Sequence, residues 1–389
     1  VRHMAGRFGI GGFRLVEQRI PLLDRATVKK RGSDFVSTEA NATTAREGTT
    51  GGSTGEPLRT LVDSRVPQLA LAWRMYRWWG VAPWDNLARV GRWSFGAAAT
   101  VKNALSWWPS RHVYLDAKLF DATTMRAFHR KLTKTRPVLL EGYVGAMVEF
   151  ADFLEREGLS PPPSLRAVAT TAAVLTENVR ARLQQIMHVP VYDEYRGSEV
   201  NWMAGECREQ RGLHTFADTS LIEIVDEDGQ VVPDGTVGDV VVTDLVNRVH
   251  PYIRYRNGDR AAKLSEPCAC GVTLPLLAKP EGRTVDLVRT PSGKAINHGL
   301  LGMFSNDVDA VRMFHVHQSA DYSLHITIVQ SDDADAAPRI EKAVDALRDR
   351  LGDELPITFS YAETITHRGG KLNPVTSDVP SPDATQGGV

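Results

Sequence analysis

Between Arg59 and Tyr192, short apolar strands alternate with segments of helical apolar spacing. This rhythm restricts the fold more than any other feature of the chain. Arg59–Asp63 reads as strand and Val66–Trp79 as helix. His112–Leu115 then reads as strand, Ala122–Thr133 as helix, and Pro137–Tyr143 as a buried strand ending in a turn. Ala146–Glu157 follows as helix, Ala167–Leu175 as strand and Glu177–Met187 as helix. Strands alternating with helices in this way specify an α/β core. Trp73, Trp78 and Trp79 gather on the first helix, where core packing is their ordinary role, and Arg180 and Arg182 read as solvated positions.

From residue 213 the rhythm changes. Ser220–Val225 and Gly238–Asp244 are β-rich and are joined through Asp226-Glu227-Asp228-Gly229, a strong turn signal. A third unit begins near Arg283. It reads as strand, Ser292-Gly293 turn, helix near 299–308, strands Val311–Gln318 and Leu324–Gln330, helix Pro338–Leu351 and strand Ile357–Tyr361. The expected organisation is therefore a large α/β domain over 5–282 with a β-rich subdomain at about 200–282. A small α+β domain over 283–379 and a Pro/Ser/Gly-rich tail over 380–389 complete it. Residues 33–48, rich in Ser, Thr and Ala, read as a mobile stretch.

With 389 residues the chain has ample material for a core. Its formal net charge of -1 implies no basic face, so nucleic acid is not an expected partner. No apolar run is long enough to span a bilayer, and the N-terminus lacks the basic-then-apolar signal pattern. Three cysteines exclude a disulfide scaffold and suit a reducing cytoplasm, the expected location.

Five short motifs carry chemistry. Thr49-Thr50-Gly51-Gly52-Ser53-Thr54-Gly55-Glu56-Pro57 packs three glycines and four hydroxyl residues into nine positions. Such a run is either a flexible linker or a nest of N–H and hydroxyl groups that wraps phosphate oxygens. It is not a Walker loop, because no Gly-Lys-Ser/Thr closes it. Tyr195-Arg196-Gly197-Ser198-Glu199 offers a ring, a hydroxyl and a carboxylate after an apolar strand, and its plain alternative is an ordinary turn. Ile253-Arg254-Tyr255-Arg256-Asn257-Gly258-Asp259 ends in an acid after a glycine turn. That acid can accept both hydroxyls of a ribose or serve as an Asx turn. Gly282-Arg283 and Arg368-Gly369-Gly370-Lys371 place a cation on a loop, where it can meet a phosphate or simply be solvated.

In this order the five resemble the adenylate-forming enzymes, and most closely the phenylacetate–coenzyme A ligase family, over about residues 20–377. Gly142-Tyr143 is similar to part of that family's core as well. The resemblance implies a large α/β domain followed by a small mobile α+β domain. It also implies activation of a small, aromatic carboxylic acid with ATP and Mg²⁺ and transfer to coenzyme A. In that reading Thr50, Gly51, Gly52, Ser53, Thr54 and Gly55 form the phosphate loop. Tyr195, with Arg196 and Gly197, faces adenine, Ser198 sits near the α-phosphate, and Glu199 holds Mg²⁺. Asp259 binds the ribose hydroxyls, Arg283 the ribose or phosphate, and Lys371 bridges the acyl carboxylate and the α-phosphate. Trp93, Phe95, Tyr143 and Val144 are the candidates for the acid pocket, with core packing as the other role for each.

Two positions depart from the pattern. Arg196 stands where the family usually has glycine, and Val285, with Asp286 beside it, stands where a hinge Asp or Lys is common. The second departure keeps open a different acceptor, an amine or other nitrogen nucleophile in secondary metabolism. A non-catalytic nucleotide-binding protein on the same fold is the remaining alternative, and a homodimer is left open.

Cys207, His214, Cys268 and Cys270 fall in one region, the last two as a tight Cys-Ala-Cys-Gly turn. Three thiolates and an imidazole suit a closed tetrahedral zinc site, against the alternative of three buried apolar cysteines. The same pattern resembles one seen in part of the family, where zinc is structural.

Overall fold

The computed structural model describes residues 20–49, 58–91, 97–117, 121–280, 288–292, 295–296, 310–351, 354–365 and 375–379. Two compact units divide the chain: the part up to Trp78 together with Glu194–Pro280, and Trp79–Asp193 together with the part from Glu281 onward.

The second unit carries the alternation read from the sequence only from His112 onward; Arg59–Asp63 and the helix Gln68–Trp78, read as its first strand and helix, fall in the first unit, and Arg59–Asp63 pairs outside the parallel sheet. Its parallel strands stand in the order His112–Asp116, Leu87–Gly91, Leu139–Tyr143, Ala167–Thr171, and then the first half of Val191–Arg196. Leu87–Gly91 is a strand the sequence reading did not pick out. Helices Ala122–Thr135, Val144–Arg156 and Glu177–Met187 cover one face. They bury Phe128, Phe150, Phe153 and Leu183 against Val90, Leu140, Val168 and Val191. Local chemistry sets the helix ends. The Asp121 side chain accepts from the Thr124 N–H at the start of one helix, and Thr176 caps another through Val179.

Arg180 is not solvated. It is buried, and its guanidinium donates to the carbonyl of Val191, because the helix turns this position onto the sheet. Arg182 instead pairs with Asp152 and Glu155. Tyr143 is followed directly by the helix from Val144, with no turn between them.

The same unit contains a four-stranded sheet in the order Ile357–Tyr361, Leu324–Gln330, Val311–Gln318, Val375–Ser377. Alternation along its strands sends Phe314, Val316, Ile326 and Ile328 to one face. There they meet Ile340, Val344 and Leu347 of the helix Ala336–Leu351.

In the first unit, the strand Val191–Arg196 continues as Glu194–Arg196, antiparallel to Trp202–Glu206. Leu213–Thr215, Leu276–Leu277 and Lys263–Leu264 extend that sheet. The strands Ser220–Val225, Gly238–Asp244 and Tyr255–Ala261 form a separate antiparallel sheet. A Cβ at Gly238 would lie 2.4 Å from the Val225 carbonyl oxygen and 3.0 Å from Ile224 Cγ2. Backbone cannot yield here as a flexible side chain would. Gly238→Ala should therefore cost about 1–3 kcal/mol in urea unfolding, the range for overpacking, and an unchanged midpoint would refute the close approach.

Residues 45–48, the end of the stretch read as mobile over 33–48, lie in a strand. Ala45–Thr49 pairs antiparallel with Arg59–Asp63, Thr49 opposite Arg59. The glycine-rich run thus connects the two strands of a hairpin, a placement its composition alone did not reveal.

Candidate functional site

Asp259 lies within the strand Tyr255–Ala261 rather than after a turn. Gly258 supplies the kink, with φ at +88°, a backbone conformation that glycine takes without a steric cost. The Asp259 carboxylate accepts the Tyr195 hydroxyl at 2.6 Å and the Asn257 amide at 3.1 Å, and Asn257 also donates to the Tyr195 oxygen at 2.6 Å. The Asp259 N–H returns a bond to Asn257 at 3.0 Å. Two motifs about sixty residues apart are thereby tied into one closed triangle. Tyr195 is fixed as a ring platform, with an acid held at its edge.

Glu199 forms a second centre. Arg25 Nη1 and the Tyr255 hydroxyl both lie 3.2 Å from its Oε1. Burial, and then the charge of Glu199, raise the Tyr255 phenol above its ordinary pKa, so it stays protonated and donates. Tyr252 is raised by the same two causes. Its hydroxyl is buried, with no hydrogen-bond partner among the described residues. Its ring sits 5.0 Å from that of Tyr255 and 5.0 Å from that of His250. Between the two centres, Ser198 gives its carbonyl to Thr60 Oγ1 at 3.3 Å. The Gly197 N–H closes a tight loop on Val200 at 3.0 Å.

Arg196 has a place of its own. Its guanidinium carbon lies 3.9 Å from the centroid of Trp202, and Nη1 is 3.2 Å from Glu194. Strand alternation puts it on the face opposite Tyr195, which explains how a long cation can replace a glycine here. Arg254, in the same motif as Asp259, is structural. It is buried, bonds Glu223 at 3.1 Å, and holds the carbonyls of Ile20 and Gly229.

The cysteine cluster assembles as its spacing suggested. The ligand atoms of Cys207, His214, Cys268 and Cys270 all lie within 4.8 Å of one another. Cys207 and Cys268 sulfurs are 3.6 Å apart, and Cys270 Sγ is 3.2 Å from His214 Nε2. Four ligands with zinc–sulfur bonds near 2.3 Å would have tetrahedral edges of about 3.8 Å, so the residues fit the ion. His214 Nδ1 lies 3.1 Å from the Leu274 carbonyl and donates to it, which leaves Nε2 to face the sulfurs as a lone pair. Burial lowers the His214 pKa and favours that neutral form. Burial also pushes the Cys207 thiol up to about 12. At Cys268 the same burial is outweighed by bonds from the Cys270 N–H and the neighbouring thiols, and its pKa falls. Cys268 is thus the readier thiolate of the pair. Trp78 packs edge-on to His214 at 5.4 Å.

Tyr143 ends its strand at the carboxyl edge of the parallel sheet in the other unit, half-buried against that core. Trp93, Phe95, Thr50, Gly51, Gly52, Ser53, Thr54, Gly55, Arg283, Val285, Asp286, Lys371 and the helix expected near 299–308 lie outside the described residues. Sequence reasoning missed Arg25 and Asn257. Asn257 stands inside the motif Ile253–Asp259, two residues before the acid. Arg25 carried one signal, a cation in the first turn of a helix that begins after the Asp24 cap, where the helix dipole disfavours it.

No family model matches the chain. A phenylacetate-coenzyme A ligase of Thermus thermophilus is 34% identical over 143 residues, which are 36% of this chain and 32% of that protein. One from Pseudomonas putida is 32% identical over 149 residues, 36% of this chain and 33% of that protein. The match thus spans about a third of the length of these two relatives. Among solved structures, a 2-hydroxyisobutyryl-CoA ligase in the postadenylation state with R3-HIB-AMP superposes with a TM-score of 0.77. It covers 95% of this chain and 81% of its own at 18% identity. The amide bond synthetase McbA of Marinactinospora thermotolerans reaches 0.58 over 82% and 66%, also at 18% identity. At such identities these likenesses show the fold.

Proposed function

We infer that this chain, a phenylacetate–coenzyme A ligase-like member of the adenylate-forming superfamily, activates a small aromatic carboxylic acid with ATP and passes it to coenzyme A. The observation that carries this reading is the joining of Tyr195 to Asp259 and Asn257 beside Glu199. A stacking ring, an acid for vicinal hydroxyls and a carboxylate for a cation are the three contacts a Mg²⁺-nucleotide requires.

In the first half-reaction a carboxylate oxygen of the acid attacks the α-phosphorus. The new P–O bond forms as the bond to pyrophosphate breaks, and the product is an acyl-adenylate. Tyr195 holds the adenine, Asp259 the ribose and Ser198 the phosphate end, so the α-phosphorus is presented in line. Arg283 and Lys371 are assigned by motif to the ribose or phosphate and to the developing charge. The glycine-rich hairpin connection, Thr50–Gly55, is assigned to the β- and γ-phosphates. Glu199 fits Mg²⁺ as a partly shielded carboxylate, 14% exposed, since this ion takes one or two carboxylates with phosphate oxygens. Bound there, the ion would neutralise charge on the phosphates. In the second half-reaction the coenzyme A thiolate attacks the acyl carbon and AMP leaves. The 283–379 part would turn between the two steps, with Tyr143 and Trp93 bordering the acid.

Zinc at Cys207, His214, Cys268 and Cys270 is proposed as structural, since four protein ligands leave no open position. The reading implies a cytoplasmic enzyme. No helix among the described residues is long and apolar enough to cross a membrane. A second acceptor, an amine, is kept by Val285 at the hinge position.

The test is pyrophosphate release from ATP and Mg²⁺ across a panel of carboxylic acids, with and without coenzyme A. Release with a few aryl acids, increased by the thiol, is the expected result. Release that responds to amines and not to coenzyme A would move the acceptor. Tight ATP binding with no release for any acid would overturn the catalytic reading.

A further inference from the structure

The N-terminal strap aims a cation at the carboxylate assigned to magnesium. Leu23 adds to the edge of the strand Tyr255–Ala261: its N–H reaches the Arg254 carbonyl at 2.9 Å, and the Arg256 N–H returns to its carbonyl at 2.9 Å. Asp24 then caps the helix Arg25–Arg31 by accepting from the Thr27 N–H at 2.6 Å, and Val28 is buried beneath it. Arg25 is the first residue of that helix. Lys29, Lys30 and Arg31 sit in the last turn, where the helix dipole favours cations, whereas Arg25 sits where it does not. A local rule broken inside an otherwise consistent element points to a functional demand. The demand is visible, because the guanidinium lies 3.2 Å from Glu199 Oε1. Tyr255, the residue bridged to Leu23, donates to that same oxygen.

We propose that Arg25 is a built-in placeholder cation. It neutralises Glu199 while the site holds no magnesium nucleotide, and it yields that carboxylate when the nucleotide enters, so it sets the magnesium concentration the site needs. This rests on the reading of Glu199 as the magnesium ligand. A carboxylate this shielded is costly without a counter-charge. A cation held by this carboxylate would stand close to the guanidinium on the same oxygen, and the two would repel. Arg25 has somewhere to go, since its side chain is 32% exposed. Arg25 is therefore a positioning residue that acts through Glu199, and its removal should make magnesium binding easier.

The experiment titrates Mg²⁺ into wild type, Arg25→Gln, Arg25→Ala and Arg25→Lys at fixed α,β-methylene-ATP, with nucleotide binding read by calorimetry. Mn²⁺ binding, read by electron paramagnetic resonance, runs in parallel. The half-saturating Mg²⁺ concentration should fall about two- to fivefold in Arg25→Gln and Arg25→Ala, the span of a partly exposed ion pair. Arg25→Lys should stay within about twofold of wild type, because the charge is kept. A helix-anchoring role alone would lower the melting temperature and leave the magnesium dependence in place, which overturns the proposal. An increased magnesium requirement in Arg25→Gln also overturns it, since the guanidinium would then be assisting the bound nucleotide. Arg25→Lys and Arg25→Gln both keep a long side chain to pack where the partly buried Arg25 stem lies, so the comparison survives if Arg25→Ala does not fold. If wild type binds the nucleotide and the variants do not differ from it, only the placeholder is wrong. If wild type binds no magnesium nucleotide, the nucleotide reading falls and takes the placeholder with it.

Discussion

Cys207→Ser should lose bound zinc and melt about 10 °C below the parent protein, and exhaustive chelation of the parent should give the same shift. The four ligand atoms come from three separate stretches: Cys207 after one strand, His214 within the next, and Cys268 and Cys270 on a turn. Around them the packing is thin. Cys207, Cys268 and Leu276 form the buried centre, and Trp78 and Leu264 cover its edge. A region with so little apolar material would depend on a metal cross-link, as small metal-bound subdomains do. Serine would leave three ligands and a hydroxyl that binds zinc poorly. A loss of about 3–5 kcal/mol corresponds to roughly 10 °C in a unit of this size. His214→Ala should behave alike and should also remove the edge contact with Trp78, visible in tryptophan fluorescence. Full thermal stability in a preparation that metal analysis finds free of zinc would sink the site. Loss of zinc from Cys207→Ser with no change in melting would leave an ion that binds without cross-linking.

The elements that the sequence showed most clearly are those whose period and ends agree. Glu177–Met187 was legible to the residue, because Thr176 can cap it and its apolar spacing does not falter. Ser220–Val225 and Gly238–Asp244 were legible because a strong turn lies between two β-branched runs. The strand Ala45–Thr49 was hidden, since Ala-Arg-Glu-Gly-Thr has no alternation and gains its order from pairing with Arg59–Asp63. Arg180 was misplaced for a related reason. Charge suggests solvent, yet a helix face fixed by Leu183 and Met187 carries that guanidinium into the interior, where the Val191 carbonyl receives it. In the site, residue identities were legible and their partnerships were not. Nothing in the spacing of Tyr195 and Asp259 announces that one bonds the other through a hydroxyl. Nothing in residues 24–31 says which carboxylate lies across from Arg25. Such contacts depend on chain crossings that no local pattern encodes.

Asp259→Asn should reduce kcat/KM for ATP by about 10²- to 10³-fold and, more tellingly, erase the discrimination between ATP and 2′,3′-dideoxy-ATP. The carboxylate already has two partners within the protein. It accepts from the Tyr195 hydroxyl and the Asn257 amide, both strong short-range donors. Only an ionised acid can accept from these two and still receive ribose hydroxyls, because an amide surrenders half of its acceptor capacity. Hydrogen bonds to a charged group are worth about 1.5–3 kcal/mol each, and two ribose hydroxyls would account for the loss stated. Removing the hydroxyls from the nucleotide should cost the parent enzyme a similar factor, since a site built to bond a hydroxyl rejects the analogue that lacks it. In Asp259→Asn the two nucleotides should become nearly equal. A purely structural Asp259 gives the opposite pattern. If the acid served only to hold Tyr195 in place, the variant would lose affinity for both nucleotides by the same factor and the parent's preference would persist. Tyr195→Phe separates these contributions further. It removes the bond to Asp259 and keeps the ring, so it should weaken ATP binding by less than tenfold and leave the preference for a ribose intact. A preference unchanged in Asp259→Asn would move the ribose contact elsewhere, with the motif-assigned Arg283 as the next residue to vary.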